Sequence, residues 1–239
     1  MCIRDRIINI RIVFFCLVLF CPVAVGNGLD IAKTALQRGD YGTAMRAALP
    51  VANDENAEAQ AFVGYLYEVG LGVKQSYSDA LAWYQRAGDN GSTKAQHNLG
   101  MLYFNGMGVE QDHVAAYQWF LKAANQDLPA SLYMVGLMYH EGYAVIMDWE
   151  SARLWFLKSA KTGYANAQFM FAFMLQAGEG GVSEPLKAMV WALIAEKNGK
   201  EDAFAITIPA GMTLTEAEIE TAKETAKICF DSNYLSCPE

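Results

Sequence analysis

Apolar residues recur at steps of three and four along most of the chain, and the arrangement returns every 36 residues. In its clearest copy, Ala95, Leu99, Gly100, Leu102 and Tyr103 share one helical face, and Ala116, Trp119, Phe120, Ala123 and Ala124 share another. Such spacing is the period of an amphipathic α-helix and not of a strand. Asn105-Gly106-Met107-Gly108 separates the two stripes, because glycine ends a helix in the left-handed conformation without a Cβ penalty. Asp112 stands where the second helix needs an N-cap. The predicted unit is a helical hairpin.

Sliding this copy by its period aligns four columns. They are Gly64, Gly100, Gly136 and Ala172; Tyr67, Tyr103, Tyr139 and Leu175; Gly70, Gly106, Gly142 and Gly178; and Trp83, Trp119, Trp155 and Trp191. A repeat this short cannot bury its own apolar face, so the hairpins must stack into one elongated body. The expected fold class is all-α, an α-α superhelix (solenoid) of 36-residue helical hairpins spanning 27–200, with a structural role for these columns and above all for the tryptophans. Full units are expected at 57–93, 94–129, 130–165 and 166–200, and 29–53 reads as a degenerate first hairpin with Ala47 in the tryptophan column. The third unit has Ala144 where a second turn glycine belongs, and the fourth has Ala172, Leu175 and the run Gly178-Glu179-Gly180-Gly181, so the pattern specifies their turns less fully than those of the first two. After Gly199 the period fails, and 201–239 reads as a C-terminal helical cap. A short helix from Glu201 to Ile208 should end at Pro209. Two overlapping capping boxes, Thr213/Glu216 and Thr215/Glu218, then precede a helix to about Phe230.

Ala95, Gln96, Leu99, Gly100, Tyr103, Gly106, Gly108, Asp112, Trp119, Phe120 and Lys122 together resemble the Sel1-like repeat, a relative of the tetratricopeptide repeat. The resemblance covers roughly Ala57 to Gly199. It implies a right-handed α-solenoid that serves as a protein-binding scaffold, and it points to a periplasmic adaptor or regulator of a signalling or envelope complex. Some cysteine-rich relatives are linked to β-lactam binding or hydrolysis, but those carry a cysteine pair in each repeat, which this chain lacks.

Residues 1–26 look like an export signal: Arg4, Arg6 and Arg11 precede the apolar run Ile12–Phe20, and Ala24-Val25-Gly26 offers small residues for cleavage. The apolar core is shorter than the roughly 20 residues of a spanning helix, so cleavage is favoured over an anchor. Lipidation at Cys21 is the weaker alternative, since bulky Leu19-Phe20 precedes it. The expected location is periplasmic or secreted, with no integral span after cleavage. Of five cysteines, only Cys229 and Cys237 then remain, and an even pair in an oxidising compartment is a candidate disulfide.

Chemistry adds little. The Gly-x-Gly pairs at 70/72 and 106/108 recur with the repeat and lack a preceding strand, so they are turns and not phosphate loops. No nucleophile or zinc motif occurs, His97, His113 and His140 are isolated, and Asp112, Asp148 and Glu184 share a column of helix caps. No enzyme, cofactor or metal is expected. Nucleic acid is disfavoured by the net charge of −8, which becomes −10 when three arginines and one aspartate leave with the signal. The repeats themselves locate a partner surface. Columns that vary are free for recognition: Ala61, His97, Tyr133, Phe169; Tyr65, Met101, Leu137, Phe173; and Glu68, Phe104, His140, Gln176. Spaced by four and three, they share one face that should line a concave groove, rich in aromatic and methionine anchors for a protein or peptide. The alternatives are that these side chains pack against adjoining helices, leaving a purely structural spacer. A monomer is expected.

Overall fold

The protein is described here by a computed structural model covering residues 28–239. The export-signal reading and the first three cysteines lie outside the described residues. Those residues form twelve α-helices and one 3₁₀ turn, with no strand among them. Helices α1 (Gly28–Gln37) and α2 (Tyr41–Asn53) make the degenerate first hairpin. Four full hairpins follow: α3 (Ala57–Val69) with α4 (Tyr77–Asp89), α5 (Thr93–Asn105) with α6 (His113–Ala124), α7 (Pro129–Glu141) with α8 (Trp149–Ala160), and α9 (Ala165–Ala177) with α10 (Pro185–Lys197). After a 3₁₀ turn at Glu201–Ala203 come α11 (Phe204–Thr213) and α12 (Glu216–Asp231). Each helix of the repeats packs on the next in sequence. Alternate helices also approach one another, α3 to α5 and α9 to α11, which puts the first helix of each hairpin on the inside of the curve. After the first full unit, each begins one residue earlier than its periodicity suggested, at Thr93, Pro129 and Ala165.

The hairpin turn is the same in all four units. Its first residue, Gly70, Gly106, Gly142 or Gly178, ends the first helix at φ 74, 68, 74 and 76°. The second left-handed position is Gly72, Gly108 and Gly180 in three turns, and Ala144 holds it at φ 62° in the third. The third and fourth turns, which the pattern left less fully specified, follow the same path, because the left-handed position is kept whatever residue fills it. Where glycine fills it, the turn sits down on the preceding hairpin: a Cβ on Gly72, Gly108 or Gly180 would come within 2.3, 2.5 and 2.4 Å of the backbone of Tyr41, Tyr77 and Trp149.

Inside each hairpin the close contact is between a glycine and a ring. A Cβ on Gly64, Gly100 or Gly136 would lie 2.7, 2.6 and 2.9 Å from the rings of Tyr84, Phe120 and Phe156, all three fully buried. The fourth unit has Ala172 and Ala192 in those two columns, both buried. Between hairpins, buried glutamines act as pins: Gln60, Gln96 and Gln168 donate to the carbonyls of Ala52, Gly88 and Ala160 near the end of the preceding second helix. Gly88 O and Ala160 O also accept the N–H of Gly91 and Gly163, so there the glutamine fills the second lone pair of a helix-end carbonyl.

The tryptophan column is less uniform than expected. Trp119 and Trp191 are buried, whereas Trp83 and Trp155 are half-buried, with Arg86 and Lys158 over their rings. Of the cap column, Asp112 and Asp148 accept backbone N–H bonds as predicted, but the Glu184 side chain instead takes Arg153 and Lys187. A glutamate stem is one carbon too long to fold back as an aspartate does. The C-terminal region also needs one correction. Pro209 does not end a helix but lies inside α11, which survives the lost N–H because Ile206 and Ala210 are buried against the stack. Thr215/Glu218 forms the capping box of α12, while the Thr213 hydroxyl donates to Ala210 O.

Candidate functional site

The face carrying the three variable columns lies on α3, α5, α7 and α9, the inner helices. Its columns divide by position. The middle one is the most open: Tyr65 and Phe173 are each 40% exposed, and Met101 and Leu137 are half-buried between them. The flanking columns pack down on the buried ring of their own hairpin. His97 and Phe104 reach Phe120 with centroids 5.5 and 6.4 Å apart, and Tyr133 and His140 reach Phe156 at 5.5 and 6.4 Å. Glu68 does the same job by accepting the Tyr84 hydroxyl at 2.5 Å; burial of that phenol, and then this bond, push its pKa up. Phe169, half-buried, lies under the Lys200 ammonium. Gln176 Oε1 is a buried oxygen without a hydrogen-bond partner. At the first end of this face, Lys33, Leu36, Ala61, Phe62, Tyr65 and Asn98 line a cleft of about 260 Å³.

The histidines are less isolated than their spacing implied. His97 Nδ1 lies 2.8 Å from Ser131 Oγ on the next hairpin, and burial pushes its pKa down to about 4, so it is neutral. Burial would lower the His140 pKa as well, but its ring nitrogens meet Glu179 at 2.9 Å and Glu141 at 2.7 Å, and these carboxylates raise it. His113 stacks on Phe104 and meets the Tyr143 ring edge to face. Among the described residues, no three His, Cys, Asp or Glu side chains converge as a metal site. Cys229, buried at the end of α12, faces Cys237 with the two Cα atoms 4.6 Å apart and the sulfurs at disulfide distance.

The sequence profile of the Sel1 repeat matches residues 57–92, 93–128, 129–164 and 165–200, unit for unit with the four hairpins. The chain belongs to the Sel1 repeat family. Among solved structures it is similar to a Sel1 repeat protein from Oxalobacter formigenes, with 24% identity, a TM-score of 0.73, and coverage of 88% of this chain and 85% of that one. It is also similar to a protective antigen present in uropathogenic Escherichia coli strains that displays an SLR fold, with 26% identity and a TM-score of 0.73. That match covers 86% of this chain and 46% of the antigen. No curated protein sequence matches the chain.

Two sets of residues in this Sel1 repeat chain escaped the column reading. One is the ring series Tyr84, Phe120 and Phe156, whose signal was available: the fourth unit changes glycine and ring together, to Ala172 and Ala192. The other is the turn edge, where Tyr77, His113 and Trp149 begin successive second helices, and where Ile146-Met147 replaces the Lys74-Gln75 and Glu110-Gln111 of earlier turns.

Proposed function

We propose that this Sel1 repeat chain is a protein- or peptide-binding scaffold, exported and acting as a periplasmic adaptor or regulator of a signalling or envelope complex. Sel1 repeats support protein–protein interaction in general terms, and they are generally non-catalytic. The observation that carries the finer reading is the inner face. Tyr65, Met101, Leu137 and Phe173 form an open apolar column along four stacked helices, framed by His97, Phe104, Tyr133, His140 and Phe169, of which the first four are anchored on the rings beneath. Fixed aromatic anchors of this kind lose little entropy on binding and dominate interface energies.

Export is supported by the apolar run Ile12–Phe20 behind three arginines, and by the placement of Cys229 and Cys237 as a pair. In an oxidising compartment that pair closes a small loop contributing about 2–3 kcal/mol. Intact-mass measurement of protein recovered from the periplasm, with and without reduction, tests both points. The groove is tested by crosslinking and affinity capture from the native envelope with wild type and with Tyr65→Glu/Phe173→Glu, two exposed positions whose change leaves the core alone. Loss of the same partners from the variant supports the groove, and equal recovery by both removes it.

A further inference from the structure

The third turn departs from its three counterparts in side chains that weaken the fold, although its backbone path is theirs. At the residue before the helix cap, Gln75 and Gln111 donate Nε2 to the carbonyls of Glu68 and Phe104 at 2.8 and 2.7 Å, and Ser183 donates Oγ to Gln176 O at 2.8 Å. Each bond ties its turn to its first helix. Met147 occupies the same place, with its Cβ against Gly142 as those of Gln75 and Gln111 lie against Gly70 and Gly106, but it has no donor to offer. Earlier in the same turn, at its second left-handed position, stands Ala144, the one such position of the four that is not glycine, at φ 62°. Beside them Ile146 is 91% exposed, Met147 57% and Trp149 42%, and the Tyr143 ring leans on His113 at 4.8 Å. Fold-weakening choices that present bulky apolar side chains to solvent mark a surface kept for contact.

The charge around the patch says what kind of contact. Glu110 on the neighbouring turn, Glu141 at the end of α7, and Asp148 and Glu150 at the start of α8 border it. From Gly106 to Glu150 the one lysine or arginine is Lys122, at the far end of α6 and 3.5 Å over the Trp119 ring. Arg153, one turn after Trp149, is held by Glu184, and His140, stacked on Trp149, is held between Glu141 and Glu179. The whole chain carries −8. An apolar centre within an acidic border complements a segment bearing large apolar side chains with lysine or arginine beside them. We propose that the third turn, through Tyr143, Ile146, Met147 and Trp149, docks a basic amphipathic segment of a partner protein. The surface lies at the turn edge of the solenoid and does not depend on the inner face being a binding groove.

The probe is a fluorescently labelled Leu/Lys amphipathic helical peptide, titrated by anisotropy against the full chain, with a Leu/Glu peptide as its counterpart. Wild type is expected to bind the Leu/Lys peptide, more weakly as salt rises, and not to bind the Leu/Glu peptide. Ile146→Gln/Met147→Gln, which leaves every charge in place, is expected to weaken binding about tenfold or more, the size usual for losing central anchors. The same variant should melt no lower than wild type, since a glutamine in place of Met147 regains the donor that Gln75 and Gln111 use. Glu110→Gln/Glu150→Gln should weaken binding and flatten its salt dependence, and Tyr65→Glu/Phe173→Glu on the inner face should change nothing. Equal affinity of wild type and Ile146→Gln/Met147→Gln overturns the proposal, as does equal binding of the Leu/Glu peptide. A dimer in sedimentation that Ile146→Gln/Met147→Gln abolishes would make the occupant a second copy, and binding to phosphatidylcholine vesicles that it abolishes would make it a lipid surface. Either result overturns the proposal as well.

Discussion

Gly100 shows how a single hydrogen decides the geometry of a hairpin. A methyl there would stand 2.6 Å from the buried Phe120 ring, so Gly100→Ala must push the two helices apart. Overpacking of this sort costs about 1–3 kcal/mol. In a Phe120→Ala background the same change should cost close to nothing, as the Ala172 and Ala192 of the fourth unit already illustrate. Urea denaturation of the four proteins in that cycle measures the coupling, and simple additivity would break the pairing. Ala144 is the opposite case, a side chain where the backbone asks for none. Ala144→Gly should stabilise the protein by about 1 kcal/mol, since left-handed alanine carries roughly 1–2 kcal/mol of strain. His97 adds a pH dependence. Its folded pKa is lowered from 6.5 to about 4, so the native state holds it neutral while the unfolded chain takes up a proton, and stability drains away as pH falls from 6.5 to about 4. The loss is roughly 3 kcal/mol over that window. His140 works against it: its pKa is raised, so its ion pairs contribute below the ordinary histidine value and fade as pH rises through the raised one. Chemical denaturation from pH 7 to 4 should show a shallower acid loss in His97→Gln and a steeper one in His140→Gln.

At the scale of the element, the helices owe little to chance. Asn56, Ser76, Ser92, Asp112 and Asp148 each accept a backbone N–H at the start of a helix, and the Thr215/Glu218 box starts α12. Thr215→Ala should cost about 1 kcal/mol, read as a lower melting temperature. Helices, turns and repeat number were legible because they rest on local patterns, the 3.6-residue stripe and the glycine that ends it. What lay beyond reach depends on the third dimension. Spacing does not tell how far the neighbouring hairpins cover each indole, so the column reads as uniformly buried although Trp83 and Trp155 are half-buried. Nor does spacing reveal that Glu184 turns from capping to meet Arg153 on the hairpin before. The inner face was legible as a face. Its division into an open middle column and two anchored flanks was not, because that depends on which rings lie beneath.

Over the whole molecule, a stack of hairpins is only as stable as its ends, since each unit is held by neighbours and an end unit has one too few. The fourth hairpin meets this problem with α11 and α12, both packed on α10, and with the segment after α12, whose Pro238 carbonyl accepts the Trp191 indole N–H at 2.9 Å. That cover explains why Trp191 alone in its column is fully buried, and why Ile194 stands three residues later where the open units carry Arg86, Lys122 or Lys158. A cation over an indole suits a ring at the water boundary; an isoleucine suits one sealed from it. Deleting residues after Lys200 should therefore reopen Trp191 and the buried face of α10. Losing the partners Ile206, Ala210, Ala222, Ala226 and Cys229 removes several kcal/mol of apolar burial, worth roughly 10 °C in melting temperature for a chain of this size. Thermal melting by circular dichroism reads the loss of stability, and acrylamide quenching of tryptophan fluorescence reads the reopening. Replacing Ile194 with Lys in the truncated chain should recover part of the loss, because the exposed ring would then have the neighbour that the other open units use. A truncated protein that melts like the full chain, with its tryptophans no more accessible, would mean that the fourth hairpin closes the stack unaided.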